Sequence, residues 1–249
     1  MKYQGNKNRY VKYLLPILMN ELGGGRWYVE PFCGSCSVLQ HIPSNRIAND
    51  KNKYLIAMWK SLVEYKEMPM RIEREFYNDV RDSFNKNDGR YSDDIIGWVG
   101  YMGSFNGRFF DGGYSGHCVV GKDGTRDYIT ENINNTLDQV PFLIGAEFRS
   151  CDYTELEIQK NSVIYADPPY KDTKQYQYSR NFDHERFYEW CREKVAEGHT
   201  LFVSEYNMPS DFECVWSKDV TCAMNQTITK NTTEKLFVLK GSVRKNALF

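Results

Sequence analysis

The sequence predicts an α/β fold in which a Rossmann-like mixed sheet is interrupted by a mainly helical insertion. Residues 162–166, Ser-Val-Ile-Tyr-Ala, form a short apolar run that stops at a proline pair, as a buried strand would. Residues 27–39 have the pattern of a strand, a tight turn at Gly34 and a helix start. Between residues 54 and 145, apolar residues recur at helical spacing over more chain than one strand crossover needs. We therefore predict a sheet-bearing domain at residues 1–53 and 146–249, with the insertion at 54–145.

Apolar spacing and turn residues place the other elements in chain order. A first helix begins near Val11 and is ended by Gly23-Gly24-Gly25, although Pro16 is expected to kink it. Asp183 is expected to cap a later helix that Gly198 ends. The remaining predictions are strands within residues 46–50, 146–153, 199–207, 212–217 and 234–240, helices near 55–63, 72–84 and 133–140, and a least helical stretch at 97–116.

Composition indicates a cytoplasmic protein with a substantial core. Its 249 residues carry 32 Lys and Arg against 33 Asp and Glu, so a polyanionic partner must be met by local basic patches. Mean hydropathy is −0.63, no apolar run approaches membrane-spanning length, and the first residues have no signal-peptide core. Seven cysteines at irregular spacing favour reduced thiols over a disulfide framework.

The tetrapeptide Asp167-Pro168-Pro169-Tyr170 follows the strand at 162–166, and each of its residues has a chemical use there. The prolines lack backbone N–H groups, so the chain leaving the sheet presents carbonyl oxygens beside the Asp167 carboxylate. Two such acceptors can hold the hydrogens of an exocyclic amine on a planar base, and Tyr170 can stack on that base. The carboxyl edge of an open α/β sheet is also where ligands bind. An ordinary strand end with a Pro-Pro turn is the simpler interpretation.

This tetrapeptide resembles the catalytic motif of the Dam-like DNA adenine-N6 methyltransferases (D12 class, alpha group), and further motifs follow the order of that family. Residues 3–7, Tyr-Gln-Gly-Asn-Lys, are similar to its opening aromatic-x-Gly-x-Lys element, with Asn6 in place of a second glycine. Residues 30–37 resemble its acidic-Pro-Phe-x-Gly-x-Gly-Ser loop, with Cys36 at the second glycine position. The resemblance implies a pocket for S-adenosyl-L-methionine formed by Tyr3, Lys7, Glu30, Phe32, Gly34, Ser37, Asp50, Asp152, Tyr153 and Asp167.

Two of these acidic residues also have other readings. Asp50 ends the second predicted strand, where nucleoside-binding α/β sheets hold a carboxylate for the ribose hydroxyls, and the alternative is a capping role at a turn. Asp152 resembles the family's contact to the amino group of the cofactor's adenine. The alternative is an Asp that begins a helical turn at Thr154.

The resemblance implies site-specific methylation of adenine N6 in double-stranded DNA by base flipping and direct transfer. Asp167 and the Pro168 carbonyl would hold N6, Tyr170 would stack on the base, and no metal is required. Residues 204–207, Ser-Glu-Tyr-Asn, are similar to a pocket-wall motif of the family. A bacterial or phage-encoded enzyme of a restriction-modification system, with a possible cognate restriction endonuclease, fits the family; the oligomeric state is left open.

The helical insertion at 54–145 is expected to carry recognition of the DNA target. Candidate DNA contacts come from its glycine- and aromatic-rich stretch at 97–116 and from basic residues near that stretch and after the catalytic motif. Arginine and lysine can meet phosphate or guanine, and an aromatic ring can wedge or stack beside an extruded base. Packing of these rings on the insertion's own core is the alternative for each of them. The predicted DNA-binding residues are Arg108, Phe109, Tyr114, Lys122, Arg126 and Lys174.

Other functions stay open at this point. Cys33-Gly34-Ser35-Cys36 is a C-x-x-C sequence, but no second such pair and no clustered histidines accompany it, which disfavours a zinc or redox site. N4-cytosine, RNA and protein-glutamine methyltransferases share the layout, and Asp167 favours adenine over them. A non-catalytic DNA-binding protein on a methyltransferase fold is the alternative from a different class.

Overall fold

The computed structural model describes residues 1–43, 45–121, 124–171, 181–223 and 229–243. They form two compact units, each assembled from several segments. Unit 1 comprises Met1–Arg9, Gly34–His41 and Asp50–Cys151; unit 2 comprises Tyr10–Cys33, Ile42–Asn49 and Asp152–Phe249. Unit 1 thus contains the predicted insertion together with the N-terminal motif and the glycine loop. The predicted domain boundaries at 53/54 and 145/146 stay a prediction.

Six α-helices and nine strands cover most of the described chain. The helices are α1 (Val11–Glu21), α2 (Lys53–Val63), α3 (Arg74–Lys86), α4 (Asp93–Met102), α5 (Tyr128–Leu137) and α6 (His184–Ala196). The strands are β1 (Tyr28–Glu30), β2 (Arg46–Asn49), β3 (Val119–Gly121), β4 (Gly124–Arg126), β5 (Glu147–Arg149), β6 (Val163–Ala166), β7 (Thr200–Glu205), β8 (Phe212–Ala223) and β9 (Thr229–Leu239). Within the described ranges, none of the helices has the length and apolar character needed to cross a membrane.

Unit 2 is built on a mixed sheet in which six strands lie in the order β2-β1-β6-β7-β9-β8. The first four are parallel, with every residue buried, whereas β9 runs antiparallel to both β7 and β8. Full burial explains the apolar run of β6 and the apolar centre of β7, because helices or loops cover both faces of a parallel sheet. The predicted α/β class with a mixed sheet is confirmed.

The strand order reverses between β1 and β6, since the chain passes from β1 to β2 on one side and β6 lies on the other. Ligands of open α/β sheets bind outside the carboxyl ends of the strands at such a point. Acidic residues are found at these ends: Glu30 is the last residue of β1, Asp167 follows β6, and Glu205 is the last residue of β7. The topology therefore brings carboxylates to the ligand-binding edge of unit 2.

Two helices of unit 2, α6 and α1, can be compared with the predicted helix ends and with the predicted effect of Pro16. The Asp183 carboxylate accepts the backbone N–H of Arg186 at 3.0 Å, and Gly198 adopts a φ of 92° just beyond α6, which confirms both predicted helix ends. Helix α1 continues through Pro16, and its buried residues, Val11, Leu14 and Leu18, lie on one face. The helix therefore tolerates Pro16 on the face away from the core.

The prediction that residues 97–116 are the least helical part of the insertion is wrong for its first third, which forms most of α4. The glycine-rich pattern predicts a loop at Gly97 and Gly100, but both residues are buried inside this helix. A Cβ added to Gly97 would lie 2.1 Å from the backbone oxygen of Tyr54 in α2, and one added to Gly100 would lie 2.5 Å from the Phe109 ring. These glycines allow close packing of α2 and of the Phe109 ring against α4, at the expense of helix propensity.

The remaining part of unit 1 differs in two details from the prediction. The third insertion helix, expected near 133–140, is α5 and begins earlier, because the Asp127 side chain caps it by accepting the N–H of Thr130 at 2.8 Å. A short antiparallel hairpin of β3 and β4, which the sequence analysis did not predict, precedes it. The insertion is therefore mainly but not wholly helical.

Replacing Gly97 with Ala is expected to lower the free energy of unfolding by about 1–3 kcal/mol, the usual cost of overpacking a tight interior. The helices must separate because the new Cβ meets backbone rather than a flexible side chain. Urea unfolding followed by circular dichroism measures the change. Gly23→Ala is the matched control, since its added Cβ has no atom within 4 Å. Equal stability of both variants would contradict the close α2–α4 packing.

Candidate active site

The predicted motif lies at the carboxyl end of β6 in unit 2. Ala166, the last residue of β6, is paired in register with Val203 of β7, so Asp167 leaves the sheet beside the end of β7. Pro168 is buried, whereas Asp167, Pro169 and Tyr170 are partly buried. The motif thus presents its carboxylate and its aromatic ring at the edge where ligands of such sheets bind.

Tyr170 is fixed on two sides. Its hydroxyl donates a short hydrogen bond to the Glu234 carboxylate of β9, and its ring meets the Tyr206 ring edge to face, with centroids 4.7 Å apart and planes at 82°. Burial, with help from the carboxylates of Asp167 and Glu234, raises the pKa of Tyr170 well above its usual value. The side chain is therefore a neutral phenol with a fixed ring near neutral pH.

Glu205 anchors the chain that follows this motif. Its carboxylate accepts the backbone N–H of Lys171 at 3.0 Å and that of Tyr206 at 2.7 Å, although the side chain is only 1% exposed. Burial raises the pKa of Glu205 to about 7, the two backbone donors oppose this shift, and the carboxylates of Asp167 and Glu234 add to it. Neither contact follows from the sequence pattern, because Glu234 reaches Tyr170 through the pairing of β9 with β7, and Glu205 reaches the Lys171 N–H through the pairing of β7 with β6.

A cluster of aromatic rings contains two predicted cofactor residues of unit 2. The Phe32 and Tyr153 rings lie 5.3 Å apart, and Tyr153 also meets the Trp190 ring at 5.3 Å. Burial raises the pKa of Tyr153 to about 12. Asp152 caps the short 3-10 helix that follows it, accepting from the N–H of Thr154 at 3.1 Å. The alternative reading of Asp152 is thus present in the structure, and its predicted contact to adenine stays a prediction.

Glu30 lies at the end of β1 and is buried, as a pocket carboxylate at a strand end would be. It accepts the hydroxyl of Tyr28 at 2.9 Å. Burial, together with the Glu30 carboxylate, raises the pKa of that hydroxyl well above its usual value, so it remains a donor. This bond supports the buried charge on one side.

The glycine loop of unit 1 has left-handed backbone at both glycine positions of the family motif, which are residues 34 and 36. Gly34 has a φ of 46° and Cys36 a φ of 54°, so Cys36 adopts the conformation for which the family uses glycine. Backbone oxygens of this loop are held by side chains: Trp59 donates to the Gly34 carbonyl at 3.1 Å, and Gln139 to the Ser35 carbonyl at 2.6 Å. The turn forms with cysteine in place because its neighbours secure it.

The N-terminal motif packs against this loop within unit 1. A Cβ on Gly34 would lie 2.9 Å from the Tyr3 ring, so only glycine fits there. The hydroxyl oxygen of Ser37 accepts the backbone N–H of Lys7 at 3.1 Å, and Lys7 is buried. Asn6, which replaces a glycine of the family pattern, closes the turn by donating its side-chain amide to the Tyr3 carbonyl at 3.1 Å. The structure thus joins Tyr3, Lys7, Gly34 and Ser37 in one place.

Asp50, the residue after β2, receives two backbone donors in unit 1. The N–H of Gly34 lies 3.2 Å from one carboxylate oxygen, and that of Asn52 lies 2.9 Å from the other. Burial nevertheless raises the pKa of Asp50 to about 6, because the two hydrogen bonds only partly offset desolvation. A carboxylate held at a glycine turn is the chemistry that ribose hydroxyls require.

The predicted DNA-binding residues lie in different surroundings. Phe109 is 9% exposed within an aromatic cluster of unit 1, and Tyr114 donates its hydroxyl to the Ile72 carbonyl at 2.8 Å. Arg108 is 3.8 Å from the Asp111 carboxylate, and Arg126 makes two 2.8 Å hydrogen bonds to Glu131. Lys122 and Lys174 lie outside the described residues. The DNA-binding roles of all six stay predictions, and core packing is evident for the Phe109 ring.

The C-x-x-C sequence supplies two buried free thiols, Cys33 and Cys36. In the part of the chain that the structure describes, no group of His, Cys, Asp and Glu side chains is arranged to hold a metal ion. Cys36 instead occupies a left-handed position of the glycine loop.

The donor set present in each unit fits S-adenosylmethionine. Unit 1 has a ring against a glycine turn that leaves no room for a Cβ, a buried lysine and the Asp50 carboxylate. Unit 2 has the buried Glu30 carboxylate and the aromatic pair of Phe32 and Tyr153. Carboxylates suit the ribose and amino groups of the cofactor, and rings suit its adenine.

Comparison with known proteins places these motifs in a family. The chain matches the family model described as D12 class N6 adenine-specific DNA methyltransferase over residues 3–219. It is similar to the retron Ec67 DNA adenine methylase of Escherichia coli, with 27% identity over an alignment that covers 82% of this chain and 75% of that protein.

Among solved structures, the chain is similar to SMU.472, which is assigned to the methyltransferases and was crystallised with SAH. Sequence identity is 11%, and the TM-score is 0.32. The match covers 95% of this chain and 54% of that one, so the chain spans about half the length of this relative. The assignment of fold therefore rests on the sheet described above.

Proposed function

The chain belongs to the D12 class N6 adenine-specific DNA methyltransferases, and from that premise we propose that it methylates N6 of adenine in double-stranded DNA by base flipping and direct transfer. The observation that carries the proposal is the motif at residues 167–170, which ends a buried parallel strand with a carboxylate and a fixed neutral tyrosine. Base flipping supplies the planar amine that these groups suit.

In the proposed reaction, Asp167 and the Pro168 carbonyl accept the two hydrogens of N6 and orient its lone pair. S-adenosylmethionine, when bound, supplies a methyl group on a positively charged sulfur. N6 would attack the methyl group in line and S-adenosylhomocysteine would leave; the nitrogen would keep one hydrogen and pass the other as a proton to the Asp167 carboxylate. Tyr170 stacks on the base, and its raised pKa keeps the stacking ring uncharged.

Contacts to the cofactor are proposed for each unit by itself. In unit 1, Tyr3, Lys7, Gly34 and Ser37 form one group, and Asp50 accepts the ribose hydroxyls. In unit 2, Glu30, Phe32, Asp152, Tyr153 and Asp167 contribute. The contacts that support this assignment are the Gly34–Asp50 and Lys7–Ser37 hydrogen bonds and the Phe32–Tyr153 ring pair.

DNA contact is further supported by two arginines that the sequence analysis did not single out. Arg74 and Arg81 lie two turns apart on α3, with guanidinium carbons 4.7 Å and 5.7 Å from the ring centroids of Tyr114 and Tyr77. Among the described residues, neither pairs with a carboxylate, whereas Arg90 pairs with Asp79 and Asp88. Guanidinium groups held on rings and available to phosphate suit a DNA backbone.

Asp167→Ala is expected to lower the rate of N6-methyladenine formation by about 10²–10³-fold, as loss of one preorganised group in an active site does. The protein is incubated with unmethylated genomic DNA and saturating S-adenosylmethionine, and the digested nucleosides are identified by mass spectrometry. Glu189→Ala, on the exposed face of α6, serves as the control and should match the wild type. N4-methylcytosine as the product, or full activity of Asp167→Ala, would overturn the proposal.

Affinity for S-adenosylmethionine is expected to fall as pH decreases through about 6, because the Asp50 carboxyl is protonated below its pKa of about 6 and then accepts hydroxyl hydrogens poorly. Calorimetry should show affinity about tenfold weaker at about pH 5 than at about pH 8. Asp50→Asn should bind more weakly than the wild type and lack this dependence. An unchanged pH profile in that variant would exclude Asp50 as its source.

Arg74→Ala is expected to weaken DNA binding and to reduce the slope of log affinity against log salt concentration by about one. The loss of one phosphate contact produces both effects. Fluorescence anisotropy with a duplex at several salt concentrations measures them. Arg90→Ala is the control, since its charge is already paired with two carboxylates. Equal slopes for both variants would rule out this contact.

A further inference from the structure

The prolines of the catalytic motif create a problem of anchoring. Pro168 and Pro169 have no backbone N–H, so two consecutive residues of this loop can donate no hydrogen bond to the sheet. The Lys171 N–H is engaged immediately after the motif, and the Glu205 carboxylate accepts it at 3.0 Å. The position of the motif's end therefore depends on a side chain of the next strand.

The same carboxylate also fixes the ring against Tyr170. Its other oxygen accepts the N–H of Tyr206 at 2.7 Å, and the Tyr206 ring lies edge to face with Tyr170. One buried group thus holds both the chain after Tyr170 and the residue packed against its ring. Glu205 can do this because it is the last residue of β7, beside the end of β6.

We propose that Glu205 is a positioning residue for methyl transfer, whose ionised carboxylate holds Tyr170 in place by accepting the backbone N–H groups of Lys171 and Tyr206. This inference rests on the proposed function of Asp167 and Tyr170. Glu205 touches no reacting atom in this scheme; it acts through the loop. Loss of the ionised form should lower the rate of transfer without lowering affinity for S-adenosylmethionine.

Protonation of Glu205 should act like its removal. A neutral carboxyl keeps one good acceptor oxygen and gains an O–H that faces an N–H donor, so one of the two backbone bonds weakens. The pKa of Glu205 is about 7, so the ionised form prevails above that pH and is lost below it. The rate of methyl transfer should therefore rise with pH through about 7. Within the described residues, the titratable and charged groups of the flanking strands and of the loops after them are Tyr165, Asp167, Tyr170, Lys171, Tyr206, Glu234 and Lys235.

The test compares single-turnover methylation by the wild type, Glu205→Gln and the control Glu189→Gln between about pH 6 and about pH 8.5. The wild type and the control should gain about fivefold to tenfold in rate with rising pH, the effect of one hydrogen bond of this kind. Glu205→Gln should stay near the low-pH rate throughout, with an unchanged dissociation constant for S-adenosylmethionine by calorimetry. A purely structural loss would instead reduce cofactor binding and the rate at every pH.

A second measurement separates this proposal from the methyltransferase function. In protein labelled with 15N-lysine, the amide resonance of Lys171, assigned with Lys171→Arg, should titrate with a midpoint near pH 7 and stop doing so in Glu205→Gln. This readout needs no DNA and no turnover. A Lys171 amide that does not titrate, or identical pH–rate profiles for Glu205→Gln and wild type, would overturn the role of Glu205. A wild type without adenine methylation but with a titrating amide would refute only the proposed function.

Discussion

Desolvation of charged groups at the carboxyl ends of parallel strands is the constraint on which the active site depends. Because β1, β6 and β7 are buried along their whole length, polar side chains can serve a ligand only where those strands end. Glu30 and Glu205 occupy such ends, and each buried carboxylate is stabilised by hydrogen bonds from neighbouring groups. The raised pKa of Glu205 expresses the part of the desolvation that its two backbone donors do not offset, whereas the carboxylates beside Tyr170 add to the effect of burial on its pKa. Burial raises the free energy needed to ionise Glu205 and Tyr170, and it also keeps water away from these side chains.

Strain in the glycine loop of unit 1 illustrates how local conformation is sustained by distant parts of the chain. A non-glycine residue in a left-handed conformation costs about 1–3 kcal/mol, and Cys36 is such a residue. Trp59 and Gln139 lie far from the loop in sequence, yet their side chains hold its carbonyl groups. The helical insertion therefore stabilises the conformation of the glycine loop through the side chains of Trp59 and Gln139.

The sequence allowed prediction of what local patterns encode. The strand at β6 and the capped helix after Asp183 each follow from short-range signals. Prediction failed where the role of a residue depends on tertiary contacts. Gly97 and Gly100 lie in a glycine-rich stretch that is typical of a loop, but they allow the close packing of α4. Glu234 could not be found at all, because only the register of β9 on β7 brings it to Tyr170. The residue pattern around Asp152 fits two roles, a helix cap and a contact to the adenine of the cofactor. The structure shows the cap, whereas a ligand contact is not encoded by the local sequence.

The close packing of Gly97 and Gly100 in α4 has a consequence for protein engineering. Positions without a side chain look like free places to vary when a library of variants is designed. Gly97 and Gly100 do not permit such variation, since an added Cβ would lie 2.1 Å from the Tyr54 backbone oxygen of α2 in the first case and 2.5 Å from the Phe109 ring in the second. Diversity is better placed on the outward face of α3, where Arg74 and Arg81 rest on tyrosine rings and replacement disturbs no backbone. A library that keeps Gly97 and Gly100 constant would retain the packing of α4 in all of its variants.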